Sequence, residues 1–87
     1  MSSALEIMDR AYKARTIIQY CLPPMARVWA PCFSGGTVRF RVKYKTMPVF
    51  TSELTYNQIV KMPVQEVAYF TMLHITKQML ERIENND

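Results

Sequence analysis

The chain has 87 residues, of which 49% are hydrophobic and 21% are charged, and its formal net charge is +4. This length allows one domain with a single modest core, and the composition argues against disorder. The sequence lacks an apolar run near the roughly 18 residues that span a bilayer, and its N-terminus lacks the apolar segment of a secretory signal. We therefore expect residues 1–87 to form one compact domain that is cytoplasmic and does not bind membranes.

A first amphipathic helix is predicted over residues 4–21. Ser3 and Glu6 have the spacing of a capping box. Pro23-Pro24 ends the helix, because proline has no amide hydrogen and restricts the residue before it. Apolar residues recur at helical spacing on one face: Ala4, Ile7, Met8, Ala11, Ala14, Ile18 and Leu22.

A β-hairpin is predicted over residues 26–46, with Gly35-Gly36 as its two-residue turn. This turn places Phe33 opposite Val38, so that two apolar side chains share a face.

The same register extends away from the turn. It places Trp29 opposite Val42 on the apolar face and Lys43 opposite Val28 on the other face. Pro31 falls within the first strand and cannot donate a ladder hydrogen bond, which predicts an edge strand.

A third strand is predicted over about residues 49–55, where the alternation is poor. Thr55 and Gln58 have capping-box spacing, so strand and short helix both remain open between residues 52 and 62. A second amphipathic helix follows over residues 64–84, with Pro63 at its start and Glu66 in its first turn.

The apolar stripe of this last helix is predicted to contain Ala68, Met72, Ile75, Met79 and Ile83. Thr71 and His74 fall on the opposite, polar side. Val67 and Phe70 fall off the stripe, so either the segment 49–62 buries them or they form an exposed interface for a dimer or a protein target. The predicted fold is therefore α+β, in the order α-β-β-(β)-α, with both helices on one face of a small antiparallel sheet.

Few residues in the sequence suit catalysis or metal binding. There is one histidine, His74, and the two cysteines, Cys21 and Cys32, lack the spacing of a metal or redox motif. We interpret both cysteines as free thiols. We expect a protein without catalytic residues, cofactor or metal.

The positive charge is concentrated in the middle of the chain. Residues 23–61 contain six cations and one acid. Four of these cations alternate along the predicted second strand, and they form a row about 20 Å long on one face: Arg39, Arg41, Lys43 and Lys45. We expect this face to bind a negatively charged macromolecule, with the nucleic-acid backbone preferred and an acidic protein surface close behind.

Two alternatives remain open. Cations on an outer strand face can simply keep a sheet soluble and unpaired. The protein could also be a small adaptor or inhibitor that docks on another protein or dimerises through residues 64–84, as many viral and mobile-element domains of this size do.

The element order is similar to that of the double-stranded-RNA-binding domain, which also runs helix, strands, helix. That family places a lysine-rich cluster at the start of its last helix to hold phosphates. This chain has Pro63-Val64-Gln65-Glu66 there, so the similarity is one of order only and carries over no residue.

Overall fold

The computed structural model describes residues 3–85. A helix is followed by four strands and then by two further helices, which confirms the predicted α+β class. The elements are α1 (Ala4–Cys21), β1 (Ala26–Val28), β2 (Cys32–Ser34), β3 (Thr37–Tyr44), β4 (Phe50–Thr55), α2 (Tyr56–Lys61) and α3 (Val64–Glu84).

Both long helices have the predicted bounds, because their ends are determined by local chemistry. The Ser3 hydroxyl accepts a hydrogen bond from the Glu6 amide at 3.1 Å and caps α1. Leu22 donates the last helical bond to Ile18 before the two prolines.

Residues 52–62 contain both of the structures that the sequence left open. Strand β4 ends at Thr55, which caps α2. The Thr55 hydroxyl accepts from the Gln58 amide at 3.1 Å, and the Gln58 side chain accepts from the Thr55 amide at 2.8 Å. The capping box therefore turns the chain directly from strand into helix.

Strand β3 is the centre of an antiparallel sheet. Strand β4 pairs with one edge, in a register that places Phe40 opposite Ser52. Strands β1 and β2 follow one another along the other edge, where Arg27 is opposite Lys43 and Phe33 is opposite Val38.

A β-bulge separates β1 from β2. Val28 pairs with Val42 and Cys32 pairs with Arg39, so three residues on the edge face two on β3. Pro31 lies in this bulge, where its missing amide hydrogen costs no ladder bond.

The bulge corrects part of the predicted register. The pairing of Phe33 with Val38 is confirmed, but the pairing of Trp29 with Val42 is wrong, since Val28 occupies that place. The extra residue shifts the pairing of β1 with β3 by one position relative to the prediction, and it turns Trp29 to the opposite face of the sheet.

The core lies between the helices and one face of the sheet. Its sheet side includes Val38, Phe40 and Leu54, which are at most 1% exposed. Helices α1 and α3 run in the same direction, as contacts at their two ends show. In the first half of α1, Arg10 donates to the carbonyl of Met62, just before α3 begins. Leu22, just after α1 ends, lines the same cavity as Met79 in the second half of α3. The helix side of the core contains Ile7, Ala11, Ala14, Ile18, Val67, Ala68 and Ile75.

The buried face of α3 is rotated relative to the prediction. Val67 and Thr71 are fully buried, whereas Ile83, placed on the apolar stripe, is 58% exposed. Thr71 tolerates burial because its hydroxyl donates to the carbonyl of Val67 at 2.9 Å. Ile83 lies beyond Met79, which is level with the end of α1.

Candidate nucleic-acid interface

The surface of the sheet opposite the helices carries polar and charged side chains. Alternate residues of β3 and β4 are buried against the helices, which directs the intervening ones outward. We call the cations and the aromatic residue on this surface the outer face: Arg27, Trp29, Arg39, Arg41 and Lys43.

Trp29 lies on the outer face among the cations. The guanidinium carbon of Arg41 is 4.8 Å from the centroid of the indole ring, which is a cation–π contact. Trp29 remains 39% exposed. The sequence placed Trp29 on the apolar side, and the only signal for its true position was Pro31 within a strand.

Arg41 is held between Trp29 and Cys32. Its Nη2 atom donates to the Cys32 sulfur at 3.1 Å, and sulfur is a weak acceptor. Its Nε atom is buried without an acceptor among the described residues. The guanidinium is therefore positioned by its neighbours while its hydrogen-bonding capacity is largely unused.

Helix α1 holds the strand that precedes Trp29. Gln19 accepts from the Val28 amide at 3.1 Å and donates to the Ala26 carbonyl at 3.2 Å. Arg15 donates to the Val28 carbonyl at 2.7 Å. These bonds satisfy the free edge of β1, which prevents pairing with another strand and fixes the backbone at Trp29.

Arg27 and Lys43 are directly opposite each other on β1 and β3. The sequence did not assign Arg27 to the site. The Lys43 ammonium group donates to the carbonyl of Met47, and Arg27 forms no ion pair with residues 3–85. Like charges directly opposite across strands are destabilising, so this pair does not serve the stability of the sheet.

The other two cations of the predicted row, Arg39 and Lys45, differ in their contacts and in their positions on the sheet. Arg39 forms an ion pair with Glu53 on β4, with a shortest distance of 2.5 Å. Lys45 lies beyond β3 in the turn, where its φ of 50° is left-handed, and its amine is 5.3 Å from the Tyr44 ring centroid. Three of the four predicted cations therefore share the outer face, and one of the three is paired with an acid.

The predicted interface pair Val67 and Phe70 is divided by the structure. Val67 is fully buried and belongs to the core, whereas Phe70 is 44% exposed. The other large apolar residues exposed on α3 are Tyr69 and Leu73, at 59% and 72%, and Leu80 and Ile83, at 55% and 58%.

His74 does not stand alone on a solvated face. Its Nδ1 atom is 2.9 Å from the hydroxyl of Ser52, which is only 1% exposed. The alternation of β4 places Ser52 between Phe50 and Leu54 on the buried face, so a polar partner for it could have been expected. Because the Ser52 hydroxyl is inaccessible, this pair satisfies a buried group and does not present a nucleophile to a substrate.

Within residues 3–85, the His, Cys, Asp and Glu side chains form no group of three that could hold a metal ion. Cys21 and Cys32 are both free and exposed. None of the helices between residues 3 and 85 has the length and apolar character needed to cross a membrane.

The chain matches no protein-family model, no curated protein and no solved structure at a significant level of similarity. The functional inference therefore depends on the geometry of the outer face.

Proposed function

We propose that the outer face binds single-stranded nucleic acid, with Arg27, Arg41 and Lys43 contacting phosphates and Trp29 contributing to a base-stacking site. The observation that carries this proposal is the cation–π contact of Trp29 with Arg41, among cations on a sheet face that none of the described helices covers. The cations alone favour nucleic acid only slightly over an acidic protein surface, and the aromatic residue among them strengthens that preference.

The phosphate contacts are inferred from three cations that form no ion pair with an acid within residues 3–85: Arg27, Arg41 and Lys43. Arg27 and Lys43 repel each other across the strands, and a phosphate placed against them would remove that repulsion. Arg41 directs a donor at sulfur, and a phosphate oxygen is a much better acceptor for a guanidinium.

The stacking site favours single strands over duplexes. A base can stack on a guanidinium plane or on an aromatic ring, and the cation–π contact of Arg41 with Trp29 brings both kinds of surface to one place. Bases inside a duplex are stacked on one another and would have to be extruded first. The preference for particular bases is expected to be small, because stacking and phosphate contacts do not depend on base-edge patterns.

The proposed activity is binding and not catalysis. The cytoplasm suits it, because Cys32 contacts Arg41 within the site and thiols stay reduced in that compartment.

A salt titration of fluorescence anisotropy with a labelled single-stranded oligonucleotide tests the proposal. Three phosphate contacts predict a slope of log affinity against log salt of about −2.1, at about 0.7 per contact on a single strand. Lys43→Gln should reduce the slope by about 0.7.

Lys61→Gln is the matched control, because it removes the same charge from α2, away from the outer face. It should leave the slope almost unchanged. Equal losses for both variants, or no binding even at low salt, would contradict the proposal and direct the search to an acidic protein surface.

A further inference from the structure

An exposed patch on α3 lies on the side of the helix away from its buried residues. Tyr69, Phe70 and Leu73 are 59%, 44% and 72% exposed. Residues three and four apart share a helix face, so Glu66 one turn earlier and Lys77 one turn later lie on the same side and are also exposed. We call these five residues the α3 patch.

The order of charges along the α3 patch indicates a second copy of the chain as its occupant. An acid stands at one end and a base at the other, about 17 Å apart at 1.5 Å per residue. Neither Glu66 nor Lys77 forms an ion pair with residues 3–85. An antiparallel pair of α3 helices would place each Glu66 opposite the Lys77 of the other copy, whereas a parallel pair would bring like charges together.

Two apolar residues of the α3 patch, Phe70 and Leu73, have the symmetry that such a pair needs. Glu66 and Lys77 are equally distant from a point between residues 71 and 72, and so are Phe70 and Leu73. A two-fold axis at that point brings Tyr69 and Phe70 of one copy against Leu73 of the other. The same surface thus faces itself, as an isologous interface requires.

We propose that the protein forms an antiparallel homodimer through the α3 patch. This inference is independent of nucleic-acid binding, since the helices cover the opposite face of the sheet and the dimer leaves both outer faces open. One helix face is smaller than the roughly 800 Å² per partner of a standard interface, so we expect a weak dimer with a Kd of about 1–100 μM.

Sedimentation velocity from about 1 to 300 μM protein measures this association. The wild type should shift from monomer to dimer, and Leu73→Asp should remain a monomer throughout. Leu5→Asp is the matched control, because Leu5 on α1 is 78% exposed and lies outside the α3 patch. It should dimerise like the wild type.

A charge swap tests the antiparallel arrangement. E66K and K77E should each weaken dimerisation about tenfold by facing like charges at both ends, and the double variant E66K/K77E should restore it. A wild type that stays monomeric, a dimer that survives Leu73→Asp, or a double variant weaker than either single variant would each overturn the inference. Circular dichroism of every variant verifies that the exposed substitutions leave the fold intact.

Discussion

Arg41 on β3 lies over the indole ring of Trp29, with its guanidinium carbon 4.8 Å from the ring centroid. Arg41 belongs to β3 and Trp29 directly follows β1, and they meet because the bulge around Pro31 turns Trp29 to the side on which Arg41 projects. A basic strand thereby gains the aromatic surface that base stacking requires.

Removing the ring should weaken binding to single strands. Trp29→Leu is expected to lower affinity by about 5- to 150-fold, which corresponds to the roughly 1–3 kcal/mol of one stacked base. Anisotropy with a single-stranded oligonucleotide measures the change. Tyr20→Leu is the control, because Tyr20 is an aromatic residue on α1 that is 91% exposed, and it should bind like the wild type. Equal affinity for Trp29→Leu and the wild type would exclude Trp29 from the site.

Reversing the charge at Arg27 should move stability and affinity in opposite directions. Arg27→Glu converts the cross-strand repulsion with Lys43 into an attraction, so the free energy of unfolding should rise by about 0.5 kcal/mol. The same change places an acid among phosphate contacts and should weaken nucleic-acid binding more than tenfold. Urea denaturation and anisotropy give the two values. A variant that is both less stable and equally tight in binding would refute the role given to Arg27.

The hydrogen bond between His74 and Ser52 should respond unequally to loss of its two partners. His74→Ala leaves the buried Ser52 hydroxyl without its partner and should reduce the free energy of unfolding by about 1–2 kcal/mol. Ser52→Ala removes the buried hydroxyl itself and should change stability by less than about 0.5 kcal/mol, because the exposed His74 can bond to water. Chemical denaturation of both variants tests this asymmetry, and a larger loss for Ser52→Ala would be the opposite result.

Lys45 offers a test of which cations belong to the interface. Its φ of 50° is unfavourable for a side chain with a Cβ atom and favourable for glycine. Lys45→Gly should therefore raise the free energy of unfolding by up to about 1 kcal/mol, after the greater entropy of glycine in the unfolded chain is deducted. The salt slope of nucleic-acid binding should stay near its wild-type value, since Lys45 lies beyond β3. If Lys45→Gly reduced the salt slope as much as Lys43→Gln does, Lys45 would belong to the nucleic-acid site.

Structural features that depend on residues close in the sequence were predicted correctly, and those that depend on distant contacts were not. The bounds of α1 and α3 depend on caps and prolines beside them, and these were predicted correctly. The pairing of Phe33 with Val38 depends on the adjacent glycine turn and was also correct. The position of Trp29 depends on one unpaired residue in the bulge, which an alternation pattern does not reveal.

The rotation of α3 has a similar origin. Helical periodicity gives the apolar residues of the helix but not where its neighbours end. Thr71 is buried because it faces the core and bonds Val67, and Ile83 is exposed because the helix continues past α1. The β3 cations of the proposed interface could therefore be selected from the sequence, whereas Arg27 and Trp29 could be selected only once the strand pairing was known.

The most direct measurement of the central claim is the intrinsic fluorescence of Trp29, the only tryptophan in the sequence. Unlabelled single-stranded oligonucleotide is titrated into the protein at low salt, and the same strand in a duplex serves as the comparison. Stacking of a base at the Arg41–Trp29 site predicts saturable quenching by the single strand, much weaker quenching by the duplex, and loss of the signal in Arg27→Glu. Fluorescence that does not change at saturating oligonucleotide, or that changes equally with duplex, would contradict single-strand binding at the outer face.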